Sequence, residues 1–145
     1  MMLFSTPIFF ALASAFFAAL VAICAKMGLQ GVDSTYATML RSIIMAIMLV
    51  GFTIVTGKIS RTSFETISLY DLWWIFLSGL AGSASWLCYF YALQKGTAGT
   101  VAAIDRLSMV FIIILAAIVL HESFTLNKIF GACMMVFGAV LITVS

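Results

Sequence analysis

Five long apolar runs alternate with short polar segments along the chain. They cover about residues 7–25, 35–56, 72–93, 98–120 and 126–144. A helix needs about 20 apolar residues to cross about 30 Å of hydrocarbon. Because the runs are continuously apolar rather than alternating, they exclude the strands of a membrane β-barrel. The pattern therefore predicts an all-α, polytopic membrane protein, with five transmembrane helices in a single domain over residues 1–145.

Polar and turn-forming residues mark the predicted ends of these helices. Ser5 or Thr6 is the expected N-cap of the first helix, and Pro7 fits its first turn because the missing N–H leaves no bond unmade. The polar turn 31–34 precedes the second helix, and Asp71 is the expected cap of the third. No Lys or Arg precedes the first run, which is also longer than the apolar region of a signal peptide. We therefore expect it to be a retained span.

The longest connection, residues 57–71, contains the capping-box pattern Thr62-x-x-Glu65. Phe64 and Ile67 would fall on one face of a helix that begins there. We therefore expect a short helix at the membrane surface in this connection.

Composition excludes several classes of protein. Apolar residues make up 65% of the chain and charged residues 8%, against about 45–50% and about 25% in soluble domains. A soluble domain of this size cannot hide so much apolar surface, because about a quarter or more of its surface stays exposed. The net charge of +2 leaves no basic patch that could neutralise phosphates. A soluble domain, a disordered chain and a nucleic-acid partner are therefore excluded.

The residue types that carry metal sites or catalysis are sparse. Cys24, Cys88 and Cys133 lie inside apolar runs, where we expect them to be small core residues, and His121 is the one histidine. The sequence contains no His/Cys/Asp/Glu spacing typical of a metal site, no Gly-rich phosphate loop and no Ser/His/Asp arrangement. We therefore expect no cofactor, no metal and no enzymatic activity.

Loop charges give the chain little preference for one membrane orientation. The side that holds the N-terminus, side B, carries Lys58, Arg61 and Lys128. The opposite side, side A, carries Lys26 and Lys95. Side B thus has three positive charges and side A has two. If Arg41 and Arg106 are counted with side A, side A has four. A chain with so weak a bias could insert in both orientations.

Five polar or aromatic residues are predicted to share one depth in the membrane. Arg41 lies about seven residues into the second helix from side A, and Asp105 and Arg106 lie about eight residues into the fourth. At 1.5 Å per residue, they lie about 10–12 Å below the side-A boundary. The third helix reaches that depth near Ser85 and Trp86.

The ionisable members of this layer leave two interpretations open. A charge at depth costs about 2.5–3.5 kcal/mol on insertion scales, so it usually faces a cavity or a partner. Arg41 and Arg106 are long enough to reach towards the surface as anchors, or they line a pocket. Asp105 is too short to do so, and we favour a pocket or coupling role for it over a structural ion pair. Beside an arginine it stays ionised, whereas alone in a dry cavity it could carry a proton.

Two further helices carry recognisable patterns. Trp86 and Tyr89 follow a stretch of small residues in the third helix, which suits either close helix packing or a cavity with aromatic walls. In the fifth helix, Gly131 and Gly138 stand seven residues apart on one face, with Met135 between them. Seven residues is the repeat of left-handed helix packing. This face is a candidate for association, either within the chain or with another one.

Residues 79–141 resemble one EamA-type half of the drug/metabolite transporter superfamily. The matching features are Tyr-Ala-Leu at 91–93, Glu122, the helix with Gly131 and Gly138, and Leu-Arg at 40–41. The resemblance covers the whole chain, at the length of one five-helix repeat. Members commonly carry two such repeats, inverted with respect to each other, in ten helices.

The stretch Ala-Ile-Asp-Arg-Leu-Ser at 103–108 is similar to the half-size bacterial and archaeal branch of this superfamily. The helix with Gly131 and Gly138 also resembles the dimerising last helix of small multidrug resistance transporters. Those proteins carry an essential glutamate in their first helix, whereas the first helix here has no acid.

The resemblance implies a secondary transporter of a small metabolite or drug-like solute in the cytoplasmic membrane. Transporters commonly pair inverted repeats around a central site, so we expect an antiparallel homodimer with dual topology. The expected pathway or coupling residues are Arg41, Asp105, Trp86, Tyr89, Ser85 and Arg106. The expected packing residues are Gly131, Met135 and Gly138. Two alternatives stay open: a non-transporting subunit of a heterodimeric transporter, and a flippase for lipid-linked sugars.

Overall fold

The computed structural model describes residues 6–58, 67–123 and 125–144. All regular elements in these ranges are helices: α1 (Thr6–Gly28), α2 (Ser34–Val55), α3 (Leu69–Lys95), α4 (Ala98–Asp105), α5 (Ser108–Val119) and α6 (Leu126–Val144). Because α4 and α5 follow each other as one span, five helices are long and apolar enough to cross a membrane. The prediction of an all-α protein with five spans is confirmed.

The third span differs from the others in length and polarity. It has 27 residues and a mean hydropathy of 1.3, whereas the first span reaches 2.6. The span contains glycine and serine as well as tryptophan and tyrosine residues, which all lower the mean. The small residues suit contact with another helix or a cavity better than contact with lipid.

Local hydrogen bonds fix both ends of α2. The carboxylate of Asp33 accepts hydrogen bonds from the N–H groups of Thr35 and Tyr36 at 2.9 and 3.1 Å, which makes it the N-cap. At the other end Gly57 takes a positive φ of 65° that L residues avoid. The N–H groups of Gly57 and Lys58 bond the carbonyls of Ile54 and Thr53 at 3.0 and 3.1 Å, and these two bonds form the Schellman motif that terminates a helix.

The α3 helix begins at Leu69, three residues before the sequence-based start at Leu72. Asp71 therefore lies in the first turn rather than at the cap, and its carboxylate accepts the N–H of Ser68 at 3.3 Å. The hydroxyl of Ser68 in turn accepts the N–H of Tyr70 at 3.3 Å. The two polar side chains thus satisfy N–H groups at the start of the helix.

The fourth span is interrupted after Asp105, where the sequence predicts one continuous helix. The N–H groups of Leu107, Met109 and Val110 bond carbonyls three residues back, at 2.9, 3.1 and 3.0 Å. Such 3₁₀ bonding is tighter and weaker than α-helical bonding. Residues 100–125 contain neither Pro nor Gly, so the sequence has no conventional helix-breaking signal at this place.

The described residues group into two compact units, one with residues 27–94 and one with residues 1–26 and 95–145. In the first unit, α2 pairs with α3, and the Gln94 side chain donates to the Val32 carbonyl at 2.8 Å. Its buried side chains include Phe90 and Leu93 on α3. This unit therefore places the start of α2 beside the end of α3.

In the other unit, α6 packs against α4 and α5. The Lys26 ammonium, near the end of α1, donates to the Gly96 carbonyl at 2.7 Å. Ala22 and Ala139 are its buried apolar residues among those described.

Several sequence-based expectations fall outside the described residues. They are the Ser5 cap and the connection helix with Thr62, Phe64 and Glu65. Cys24, Cys88 and Cys133 are free and exposed on the chain. The expectation that they are core residues is therefore wrong for the single chain.

Candidate functional site

A cation–aromatic contact joins α2 to α3 inside the predicted spans. The guanidinium carbon of Arg41 lies 3.6 Å from the centre of the Trp86 ring and 5.5 Å from that of Phe90. Contacts of this kind contribute about 0.5–2 kcal/mol, with the larger values where water is excluded. The sequence assigns Arg41 and Trp86 to one depth, and the structure brings them into contact.

Two further aromatic rings on α3 surround the contact of Arg41 with Trp86. Tyr89 and Phe90 follow Trp86 by three and four residues, a spacing that places side chains on one helix face. The Trp86 ring meets Tyr89 edge-on at 5.7 Å and Phe90 at 5.8 Å between ring centres. Phe90 is buried, with 3% of its surface exposed. We call Arg41, Trp86, Tyr89 and Phe90 the Arg41 cluster.

Phe90 is the member of the Arg41 cluster that the sequence analysis missed. Its signal was available, because it stands four residues after Trp86 on the same helix face. Phenylalanine is common throughout these spans, so the sequence alone does not distinguish Phe90, whereas its burial in the structure does.

The polar groups of Arg41 have no partner among the described residues of its unit. The guanidinium makes no hydrogen bond or ion pair there. Away from their ends, α2 and α3 contain no acidic residue, since Asp71 lies in the first turn of α3. The carboxylate of Asp33 caps α2. The site thus combines a half-buried cation with N–H donors that the unit itself leaves unused.

The hydroxyl groups along α2 are, by contrast, already satisfied. Thr38 donates to the Ser34 carbonyl at 2.7 Å, and Ser42 donates to the Thr38 carbonyl at 2.8 Å. Such bonds to the preceding turn let a polar side chain lie in an apolar surrounding. Ser34 and Thr38 are buried, so these small residues serve packing on this face of α2.

The remaining predicted pathway residues are exposed on the chain. Ser85 precedes Trp86 on α3 and is exposed, and it is not one of the residues in ring contact with Trp86. Asp105 is the last residue of α4, and Arg106 follows it in the interruption of the fourth span. Asp105 and Arg106 therefore lie at a 3₁₀ turn in the unit that contains α4, α5 and α6.

Two of the predicted packing residues, Gly131 and Met135, line a groove between α5 and α6. This α5–α6 groove has a volume of about 630 Å³. Its walls include Met109, Ile112, Gly131, Ala132 and Met135. A methyl group added to Gly131 or Gly138 would meet no atom within 4 Å. Within the chain, the face with these glycines therefore has space for another helix or for lipid.

One end of the α5–α6 groove is charged. Glu122 and Lys128 belong to its lining, and the Lys128 ammonium lies 3.2 Å from the Glu122 carboxylate. Both side chains are about half exposed, so this pair contributes at most about 1 kcal/mol to stability. A second groove between the same helices, of about 470 Å³, is lined by apolar residues.

In the part of the chain that the structure describes, no group of three or more His, Cys, Asp or Glu residues could hold a metal ion.

The five spans and the cation inside them define a polytopic helical membrane protein with a polar site among its spans. Residues 5–144 match the EamA-like transporter family, and the chain belongs to that family. It is similar to a Sinorhizobium sp protein named "Uncharacterized transporter in cobO 3'region". The two are 38% identical over 138 residues, which cover 94% of this chain and 95% of that relative. No solved structure matches the chain.

The family resemblance stated from the sequence is thus confirmed. The chain is a membrane transporter of the EamA-like family and an integral membrane protein.

Proposed function

We propose that this transporter moves a small metabolite or drug-like solute across the cytoplasmic membrane by secondary transport. The contact of Arg41 with Trp86 is the observation that carries the proposal. A charge within a span is costly and is usually found at a substrate or ion pathway. The family and the named relative support transport as the activity.

The interrupted fourth span supports a coupling role for Asp105. A short stretch of 3₁₀ bonding inside a helix often marks a functional hinge, and this one follows an acidic residue. Asp105 ends α4, and Arg106 lies in the break itself. In the proposed cycle, Trp86, Tyr89 and Ser85 contact the solute with Arg41, and Asp105 and Arg106 couple or gate its passage.

Assembly as an antiparallel homodimer is the second part of the proposal. Two five-span chains of opposite orientation would restore the paired inverted repeats common in transporters. Three observations support it: the weak charge bias of the loops, the open face at Gly131 and Gly138, and a relative of nearly the same length. The rival arrangement is a heterodimer in which this chain does not transport alone.

The activity is tested with the purified chain in liposomes and a panel of radiolabelled organic anions, organic cations and neutral metabolites. We expect at least one solute to enter faster than into protein-free liposomes, with saturation. If no member of the panel enters unless a second membrane protein is added, the heterodimer is correct and transport by this chain alone is rejected.

Orientation is tested with one added lysine on each side of the membrane. Gln30→Lys adds a charge to side A and Ser123→Lys adds one to side B, and both positions are exposed. We expect each variant to insert in one orientation and to lose transport, and the two expressed together to recover it. Full transport by either variant alone would contradict the antiparallel dimer.

A flippase for lipid-linked sugars is the second candidate, and the α5–α6 groove is the observation that favours it. Apolar walls with the charged pair Glu122–Lys128 at one end suit an amphiphile better than a small polar solute. A fluorescent lipid-linked sugar in liposomes that contain the chain distinguishes the two. Rapid movement of this lipid between the leaflets would favour the flippase. Movement as slow as in protein-free liposomes would reject the flippase.

A further inference from the structure

We propose that the Arg41 cluster binds an oxyanion, so that the transported solute is a small organic anion with a carboxylate or phosphate group. This inference rests on the proposed function and names the substrate class of the same site. It follows from the charge of α2 and α3, from the unused donors of Arg41 and from the way Trp86 holds the guanidinium.

The charge of the α2–α3 pair favours an anionic ligand. Apart from residues at the helix ends, Arg41 is the one charged residue in the two helices. Its guanidinium stays protonated in proteins, so it cannot relieve its own burial by losing a proton. An anion that enters the site supplies a counter-charge that α2 and α3 lack away from their ends, whereas a cationic solute meets a like charge.

The hydrogen-bonding groups of the site point to an oxyanion rather than to a halide or a neutral amide. A guanidinium has five N–H donors in a planar fork, which matches two oxygens of a carboxylate or phosphate. Arg41 uses none of these donors on the described residues of its unit. The hydroxyl protons of Thr38 and Ser42, on the same helix, are already donated to backbone carbonyls. Arg41 is therefore the donor that remains for the ligand on this part of α2.

The aromatic rings position Arg41 without consuming its donors. At 3.6 Å from the ring centre, the guanidinium carbon is in van der Waals contact with Trp86. This contact is not a hydrogen bond to an oxygen or nitrogen acceptor, so it does not satisfy the guanidinium N–H donors. The ring thereby restricts the Arg41 side chain before a ligand arrives. Less conformational entropy is then lost when the ligand binds.

The ligand is tested with a variant that turns Trp86 into a reporter. The chain has three tryptophans, so Trp73→Phe with Trp74→Phe leaves Trp86 as the only one. Trp73 and Trp74 are more than half exposed and lie near the other end of α3, away from the Arg41 cluster. The reporter protein is purified in a maltoside detergent, which contains no oxyanion, and its fluorescence is excited at a wavelength that tyrosine does not absorb.

Three probes of similar shape separate the charge classes: benzoate, benzamide and benzylamine. We expect saturable changes in Trp86 fluorescence with benzoate and none with the neutral or cationic probe. Arg41→Gln should weaken benzoate binding about ten- to hundredfold, since it removes a charged hydrogen-bond donor. The benzoate affinity of Arg41→Lys should lie between those of the original protein and Arg41→Gln, because lysine keeps the charge but lacks the planar fork. Equal responses to all three probes, or a response unchanged by Arg41→Gln, would overturn the inference.

A lipid headgroup could offer the same oxyanion, so a short-chain phosphatidylglycerol forms a further arm of the titration. We expect benzoate to bind and the lipid to leave Trp86 fluorescence unchanged. Binding of the lipid without binding of benzoate would reject a solute anion. The liposome panel separates this failure from that of the proposed function: if only cations or neutral solutes are transported, transport stands and the anionic substrate class is rejected.

Discussion

Arg41 and Trp86 depend on each other at the scale of single residues. Arg41 needs a surrounding that tolerates its charge, and the face of Trp86 provides one at 3.6 Å. Tyr89 and Phe90 meet the same ring and limit its movement. Depth arithmetic from the sequence predicted that Arg41 and Trp86 share one level. It could not predict the buried Phe90, because burial depends on the partner helix.

Replacing the Trp86 ring should lower the transport rate, and the loss should be larger when less aromatic contact with Arg41 remains. We expect Trp86→Leu to lower the rate of solute uptake about 5- to 30-fold, because about 1–2 kcal/mol of cation–aromatic stabilisation disappears. Trp86→Phe should lower it less, since the ring remains. Trp74→Leu is the matched control, with a half-exposed ring on the same helix outside the Arg41 cluster. Equal effects of Trp86→Leu and Trp74→Leu on uptake would argue against a role for the cluster.

Asp105 allows a separate test of coupling. If its carboxylate takes up and releases a proton or binds a cation during transport, Asp105→Asn should abolish the dependence of uptake on the ion gradient. Solute binding at Arg41, followed by Trp86 fluorescence, should be retained. The measurement is uptake with and without an imposed pH or sodium gradient. Uptake that still responds fully to the gradient in the variant shows that Asp105 does not couple.

At the scale of elements, the interruption of the fourth span is the feature that the sequence did not predict. Helix ends with local signals, such as Asp33 and Gly57 around α2, follow from the sequence because neighbouring residues form them. The break between α4 and α5 has no Pro or Gly, so no local pattern distinguishes it from a regular helix. The adjacent polar residues Asp105 and Arg106 were assigned to a layer of the membrane, although they also mark the place of the break.

Amide hydrogen exchange should detect this interruption. We expect the N–H groups of Leu107, Met109 and Val110 to exchange faster than those of residues 112–115 in the same span, because 3₁₀ bonds have poorer geometry. The measurement is exchange followed by mass spectrometry or by NMR on the protein in lipid nanodiscs. Uniform protection across residues 98–119 would show that the span is continuous in a bilayer.

At the scale of the whole molecule, the chain has more apolar surface than its own helices cover. Exposed large apolar residues occur on each span, and among the described residues few side chains are buried. In a membrane such a surface meets lipid or a second chain, and the association of helices then depends on close packing at small residues. The open face with Gly131, Met135 and Gly138 fits this requirement. The sequence predicted the face from its spacing but could not identify what covers it.

Larger residues on that face should prevent dimer formation without unfolding the chain. We expect Gly131→Leu with Gly138→Leu to shift the protein from dimer to monomer in nanodiscs or in detergent. Outside the neighbouring turns of α6, no described residue has an atom within 4 Å of a methyl group added at either position, so thermal stability of the monomer should change little. Gly51→Leu is the matched control on α2, where the same space is open. A dimer that persists in the double variant would show that the interface lies on another face of the chain.

The central claim is that Arg41, held over Trp86, lies on the solute pathway of this transporter. The most direct measurement is uptake of an accepted solute into liposomes by the original protein and by Arg41→Gln, at equal incorporation and equal thermal stability. The account predicts that Arg41→Gln lowers uptake at limiting solute concentration about tenfold or more. Uptake by Arg41→Gln at the rate of the original protein would contradict it.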